Sequence, residues 1–170
     1  KVCPSGKITA TFPRHIGQIP IYYNHLRTGR PYSGFWATTK YVDFVNEPLY
    51  PFGYGLSYNR YTYGKPVLDK KKAKGDDDVV TLSIDITNTG KYTGKEVVQL
   101  YIGDPEASVS RPVIELKDFQ KVDFAPGETK TVTFRITTGQ LKFYNQDLKY
   151  DWEAGKFNIS VGPNSRELQK

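Results

Sequence analysis

One cysteine, Cys3, stands in 170 residues, so no internal disulfide can staple the fold. A chain of this kind suits a reducing compartment, or an exported bacterial protein that does without bridges. Apolar runs are short, and none approaches the roughly 18 residues that a membrane span requires. Helical periodicity is missing throughout. The two histidines, His15 and His25, lie twelve residues after Cys3 and ten after His15. Structural zinc ligands pair at about two to five residues, so these positions make a poor metal set. A serine-nucleophile elbow of the form G-x-S-x-G is absent. Gly53-Tyr54-Gly55 lacks the third glycine and the following helix of a phosphate loop. The opening residues Lys1-Val2-Cys3-Pro4 carry neither Met nor an apolar signal core, which reads as a piece of a longer chain.

Charge of one sign is also scarce where it would matter. The net charge is +6, but residues 1–56 hold six Lys/Arg against two Asp/Glu, and the remainder is nearly balanced. That balance excludes a phosphate-binding surface over the larger part of the chain, so no nucleic-acid partner is expected. Lys70-Lys71-Lys72-Ala73-Lys74 runs directly into Asp76-Asp77-Asp78, opposite blocks that fit a solvated hairpin tip. Glycoside hydrolysis needs two carboxylates about 5–9.5 Å apart. The 18 Asp/Glu fall mostly in turns or on outward strand positions, and Asp43 with Glu47 is undercut by Pro48. No catalytic residue, metal ligand or cofactor site is therefore assigned.

What is present divides near residue 64. From residue 65 onward apolar and polar positions alternate. Val80, Leu82, Ile84 and Ile86 form one such strand, Val98, Leu100 and Ile102 another, and Val132, Phe134 and Ile136 a third. Ile114 and Leu116 continue the theme, Phe119 falls out of phase, and Val122 and Phe124 resume it, which predicts a bulge or bend near Asp118. Leu148, Tyr150 and Trp152 read as a further strand, and Phe157, Ile159 and Val161 as the last. The sequon Asn158-Ile159-Ser160 falls inside that last strand. Asn88-Thr89-Gly90 and Ala125-Pro126-Gly127 supply turns, the latter of type II. With a first strand at Lys65–Leu68, the pattern predicts an all-β fold, a seven-stranded immunoglobulin or fibronectin type III-like β-sandwich over residues 65–170.

Residues 1–64 differ in texture. They hold fourteen of the 24 aromatics and six of the 11 prolines, yet show neither strand nor helix periodicity over any long window. Only Ile19 to Tyr23 and Lys40 to Val45 suggest short elements. Each packed aromatic buries on the order of 150–250 Å². A segment so rich in them, with no scaffold of its own, is expected to lie as a strap across the sandwich and across a further body outside the chain. Within it Tyr32, Phe35 and Trp36 occupy a Gly/Ser/Thr-flanked loop, suited to an interdomain contact or to stacking on a sugar ring.

The stretch Thr11-Phe12-Pro13-Arg14-His15-Ile16-Gly17-Gln18-Ile19-Pro20-Ile21-Tyr22-Tyr23-Asn24-His25, continued by Thr28-Gly29-Arg30-Pro31-Tyr32, resembles the end of the second catalytic domain in family-three glycoside hydrolases. Leu49-Tyr50-Pro51-Phe52-Gly53-Tyr54-Gly55-Leu56-Ser57-Tyr58 resembles that family's link into its fibronectin type III-like domain. Gly94-Lys95-Glu96-Val97-Val98-Gln99-Leu100-Tyr101, Ser110-Arg111-Pro112-Val113 and Leu116-Lys117-Asp118-Phe119-Gln120-Lys121-Val122 extend the likeness over nearly the whole chain.

The resemblance is strongest to bacterial β-glucosidases of the periplasmic type, and β-xylosidases share the architecture. It implies that residues 1–64 are the tail of the second catalytic domain and an interdomain strap. It also implies that the nucleophilic Asp and the acid/base Glu lie upstream, in domains that are this chain's partners. The whole enzyme would be periplasmic or secreted and would release glucose from non-reducing ends without a metal or other cofactor. The chain itself would clamp the catalytic domains and offer a homodimer contact, with no insertion into a membrane. A carbohydrate-binding or a protein-interaction module is the alternative.

Overall fold

The computed structural model describes residues 2–170, and its regular elements are nearly all antiparallel strands, the first of them at Tyr61. Strands β1 (Tyr61–Tyr63), β2 (Val67–Leu68), β3 (Val79–Asn88) and β6 (Thr129–Thr137) form one sheet. Strands β1 and β2 share one edge of β3, and β6 runs along the other. The second sheet has the order β5 (Glu115–Phe124), β4 (Gly94–Gly103), β9 (Asn158–Gly162). A small hairpin of β7 (Phe143–Tyr144) and β8 (Tyr150–Asp151) stands apart.

The alternation read in the sequence is the packing pattern. Leu82, Ile84 and Ile86 of β3 meet Val98 and Leu100 of β4, Phe124 of β5, Phe134 of β6 and Val161 of β9 in one buried cluster. Full burial of such side chains contributes about 1.5–3 kcal/mol each, which is what holds the two sheets face to face. The expected irregularity near Asp118 is a bulge. Leu100 pairs with Asp118 but Tyr101 pairs with Leu116, leaving Lys117 without a partner on β4. Glu128 N–H donates to the Ala125 carbonyl at 3.2 Å, and Gly127 takes φ 73°, closing the expected type II turn. The lysine and aspartate blocks lie in the loop between β2 and β3, tied by the Lys70–Asp78 ion pair.

Three local expectations are corrected. The strand expected at Lys65–Leu68 is only Val67–Leu68, with a separate β1 before it. The β1 ladder runs on through Gly64 N–H to Asp85 O at 2.8 Å; Pro66 then has no N–H to give, and the register on β3 slips by one before Val67 meets Ser83. Leu148 is not in a strand. It sits in a turn at φ 59°, where Asn145 Oδ1 accepts the N–H groups of Asp147 and Lys149, so only Tyr150–Asp151 pair, with the unforeseen β7. Neither Ile19 to Tyr23 nor Lys40 to Val45 forms a regular element. A single 3-10 turn, Ile16–Gln18, lies beside the first, and side chains replace ladder bonds around both. The fully buried Gln18 accepts from Arg14 N–H and donates to Val45 O and Glu47 O, while Asn46 accepts from Tyr41 N–H and donates to Thr39 O.

Candidate docking surface

Strand β4 is buried on both faces, and that property positions everything else. Val98, Leu100 and Ile102 point into the core, so Gln99 and Tyr101 point the opposite way. Both are nevertheless buried, because the strap lies over them. Tyr23 stacks on Phe52 with ring centroids 4.2 Å apart and meets Tyr101 edge-on at 5.9 Å. The Tyr23 hydroxyl also accepts the Leu116 N–H, 3.2 Å away on β5. Gln99 donates to Gly53 O at 3.2 Å and to Pro163 O at 2.6 Å, and its Oε1 accepts the Tyr101 hydroxyl at 2.6 Å. Gly53 has φ 79°, and a Cβ there would collide with the Gln99 amide, so glycine is required by both its dihedral and its neighbour. Burial raises the Tyr101 hydroxyl above its ordinary value and keeps it a donor.

A second anchor is ionic. Glu96 is in phase with the core-facing residues of β4 and is buried; its Oε1 accepts from Lys7 Nζ at 3.0 Å and from the Tyr63 hydroxyl at 3.1 Å. Burial, followed by the neighbouring Glu96 carboxylate, pushes Tyr63 well up. The expectation that carboxylates occupy the outer surface therefore fails at Glu96, and also at the buried Asp104. The signal for Glu96 was available, since it stands two residues before Val98 on the same strand face. Further along the seam, Val113 N–H donates to His25 O at 2.9 Å, and Leu26 pairs with Pro112.

The far side of the strap is open. Ile16, Ile19, Tyr22, Val42, Leu56 and Tyr58 are all exposed large apolar residues. Tyr32, Phe35 and Trp36 are exposed as well, at 61%, 58% and 76%. The loop that carries them is closed by Thr39 N–H on Arg30 O and by the Thr38 hydroxyl on Phe35 O. Phe35 and Trp36 lie 5.6 Å apart at 48°, so they do not form a flat platform. His15 accepts from Gly17 N–H, His25 lies against Leu26 O, and Cys3 Sγ contacts Ser57 Oγ at 3.2 Å. These three are not brought together, and among the described residues no group of three metal-binding side chains occurs.

Carboxylates on the sandwich rim give an acid-side prediction. The Lys70 ammonium holds Asp78 below its usual range, and backbone N–H groups of Ala125 and Trp152 do the same for Glu128 and Asp151. The Ser108 hydroxyl lowers Glu153. Groups lowered on folding stabilise the protein above their unfolded values of about 4, and that contribution is lost as pH falls through the folded values. Burial raises Asp104, which gives the opposite sign at one site. The expected result is a Tm that drops below about pH 4, measured by thermal denaturation across pH; a flat profile would contradict the ion-pair geometry.

Residues 96–165 match the Fibronectin type III-like domain. The chain is 49% identical to a periplasmic β-glucosidase of Salmonella typhimurium over 98% of its own length and 22% of that protein's. It is 43% identical to a β-xylosidase of Formosa agariphila, covering 97% of this chain and 22% of the relative. The structure superposes on β-glucosidase from Listeria innocua in complex with glucose with a TM-score of 0.90 at 43% identity, over 98% of this chain and 24% of that one. The chain thus spans about a fifth of the length of the curated relatives it matches. These matches show that the chain belongs to the family-three glycoside hydrolases, as a C-terminal piece carrying their fibronectin type III-like domain.

Proposed function

We propose that the chain is a non-catalytic structural module that clamps the catalytic domains of a glycoside hydrolase acting on terminal, non-reducing β-glucosides or β-xylosides. The observation that carries this is the two-sided strap. One side is fastened to β4 by Gln99, Glu96 and Tyr101, and the other leaves Ile16, Ile19, Tyr22 and Trp36 in solvent. An apolar face of that kind marks a surface that another body covers. Residues up to about 64 are the tail of the preceding catalytic domain and the strap, residues 65–170 are the sandwich, and β1 stands at their junction. Tyr32, Phe35 and Trp36 serve as interdomain contacts, a role supported by the tilt between the two neighbouring rings. A periplasmic or secreted enzyme is the setting, by likeness to the Salmonella relative.

The test compares the chain alone, the full polypeptide and the full polypeptide cut before residue 1. The chain alone is expected to leave an aryl β-glucoside intact, and the truncated enzyme to lose solubility or to melt at a lower temperature. Unchanged solubility and Tm after truncation would overturn the clamp, and turnover by the purified chain would overturn the non-catalytic assignment.

A further inference from the structure

The core of the sandwich is left open at one end. Leu68, Leu141, Phe157 and Ile159 pack on the buried cluster yet are themselves only half-buried. All four line one cavity of about 740 Å³, within the size range of small-molecule sites. Its deeper wall is Val80 of β3, Ile136 of β6 and Ile102 of β4, so it lies between the two sheets. The β2–β3 loop closes part of it and is pinned there, because Asp76 O accepts the Thr138 hydroxyl at 2.6 Å. Protein interiors hold few voids larger than a water molecule, so a space of this size between packed sheets marks a site.

The lining carries charge of one sign. Lys70, Lys71, Lys72, Lys74 and Lys156 line the cavity, and among the described residues no Asp or Glu does. Lys70 is paired with Asp78, but the other four make no ion pair among the described residues. All four are exposed, so their stems lie along the opening and their ammonium groups reach water there. The interior offers little to a sugar. The Thr138 hydroxyl is spent on Asp76 O, and Trp152 Nε1 donates to Asp76 Oδ1 at 2.5 Å. An aliphatic body with a single anionic end, by contrast, meets the apolar wall and the cationic mouth together.

We propose that this cavity binds a small amphipathic anion of the alkyl carboxylate type, its chain against Leu68, Leu141, Phe157 and Ile159 and its head among Lys71, Lys72, Lys74 and Lys156. Burial of the chain supplies the affinity, and the lysines select the head group and keep it at the opening. No residue of the strap lines the cavity, so the site stands independently of the clamp.

Calorimetric titration with octanoate, kept below its micelle concentration, tests the site. The chain is expected to bind octanoate about tenfold more tightly than octan-1-ol, and octyltrimethylammonium more weakly than either. Equal affinity for the three, or no binding of octanoate, would overturn the proposal. Replacing Lys71, Lys72, Lys74 and Lys156 together by Gln changes only exposed side chains, and is expected to bring octanoate down to the level of octan-1-ol. Unchanged octanoate affinity in that variant would remove the cationic mouth. Trp36→Phe leaves Trp152, which lines the cavity, as the one tryptophan, and octanoate is expected to shift its emission. Binding without that shift would put the ligand elsewhere. The full polypeptide is expected to bind octanoate as the chain does; loss of binding there would overturn the site in favour of a surface that the catalytic domains cover. Displacement of octanoate by glucose would overturn it in favour of a sugar.

Discussion

Lys7→Met is expected to destabilise the chain by about 3 kcal/mol, read as a lower denaturation midpoint in urea or guanidinium. The partner, Glu96, has a side chain only 5% exposed, and among the described residues the ammonium of Lys7 is the one cation bonded to it. Removing one member of a buried ion pair leaves the other charge without compensation, and that cost exceeds the small net value of the pair itself. The Tyr63 hydroxyl, 3.1 Å from Glu96, can offset only part of it. Glu96→Gln in the Lys7→Met background is therefore expected to restore most of the loss, because the neutral amide still accepts from Tyr63. A double variant no more stable than Lys7→Met would show that the loss came from packing of the lysine stem, not from the stranded carboxylate. The consequence reaches the module's function, since Lys7 belongs to the strap and Glu96 to the sandwich.

Gln99→Leu is the second large expectation, again about 3 kcal/mol. Leucine fills a similar volume, but the carbonyls of Gly53 and Pro163 and the Tyr101 hydroxyl lose their partner together. Each buried orphan costs on the order of 1–3 kcal/mol, and Tyr101→Phe, which removes a single bond, is expected to cost about 1 kcal/mol. Because Gly53 lies in the strap, the loss should appear locally first. Limited proteolysis of Gln99→Leu is expected to cut within residues 12–58 faster than in wild type, while β3 and β6 keep their protection. A near-neutral midpoint with an unchanged cleavage pattern would mean that the strap is held without the Gln99 bonds.

Legibility varied with the range of the interaction that decides each element. Strand β3 could be read from Val80, Leu82, Ile84 and Ile86, because alternation is a property of adjacent residues and needs no knowledge of the partner sheet. The bulge near Asp118 announced itself through one phase slip at Phe119, and the β5–β6 turn through Pro126-Gly127. Leu148 misled because an apolar residue in step with Tyr150 and Trp152 looks like a strand, while the neighbouring Asn145 closes a turn that alternation cannot register. Glu96 misled for a related reason. Its position on the inward face was legible, but a carboxylate there is credible only if Lys7, 89 residues away, comes to meet it. Tyr32, Phe35 and Trp36 stood out as aromatics in a polar loop, and the structure places them in solvent on that loop.

From the order of residues alone came the strand periodicity, the turns, the irregular aromatic leader and the likeness to a glycosidase family. These depend on side-chain spacing along one strand and on backbone preferences of Pro and Gly, which act locally. Tertiary structure alone decided that β4 is covered on both faces, that Gln99 and Glu96 fasten the leader, and that one oxygen of Asp104 and one nitrogen of Arg111 are buried without a partner among the described residues. Those outcomes depend on which distant segments arrive within about 3 Å of one another, and a buried polar atom is satisfied or stranded only once that arrival is known.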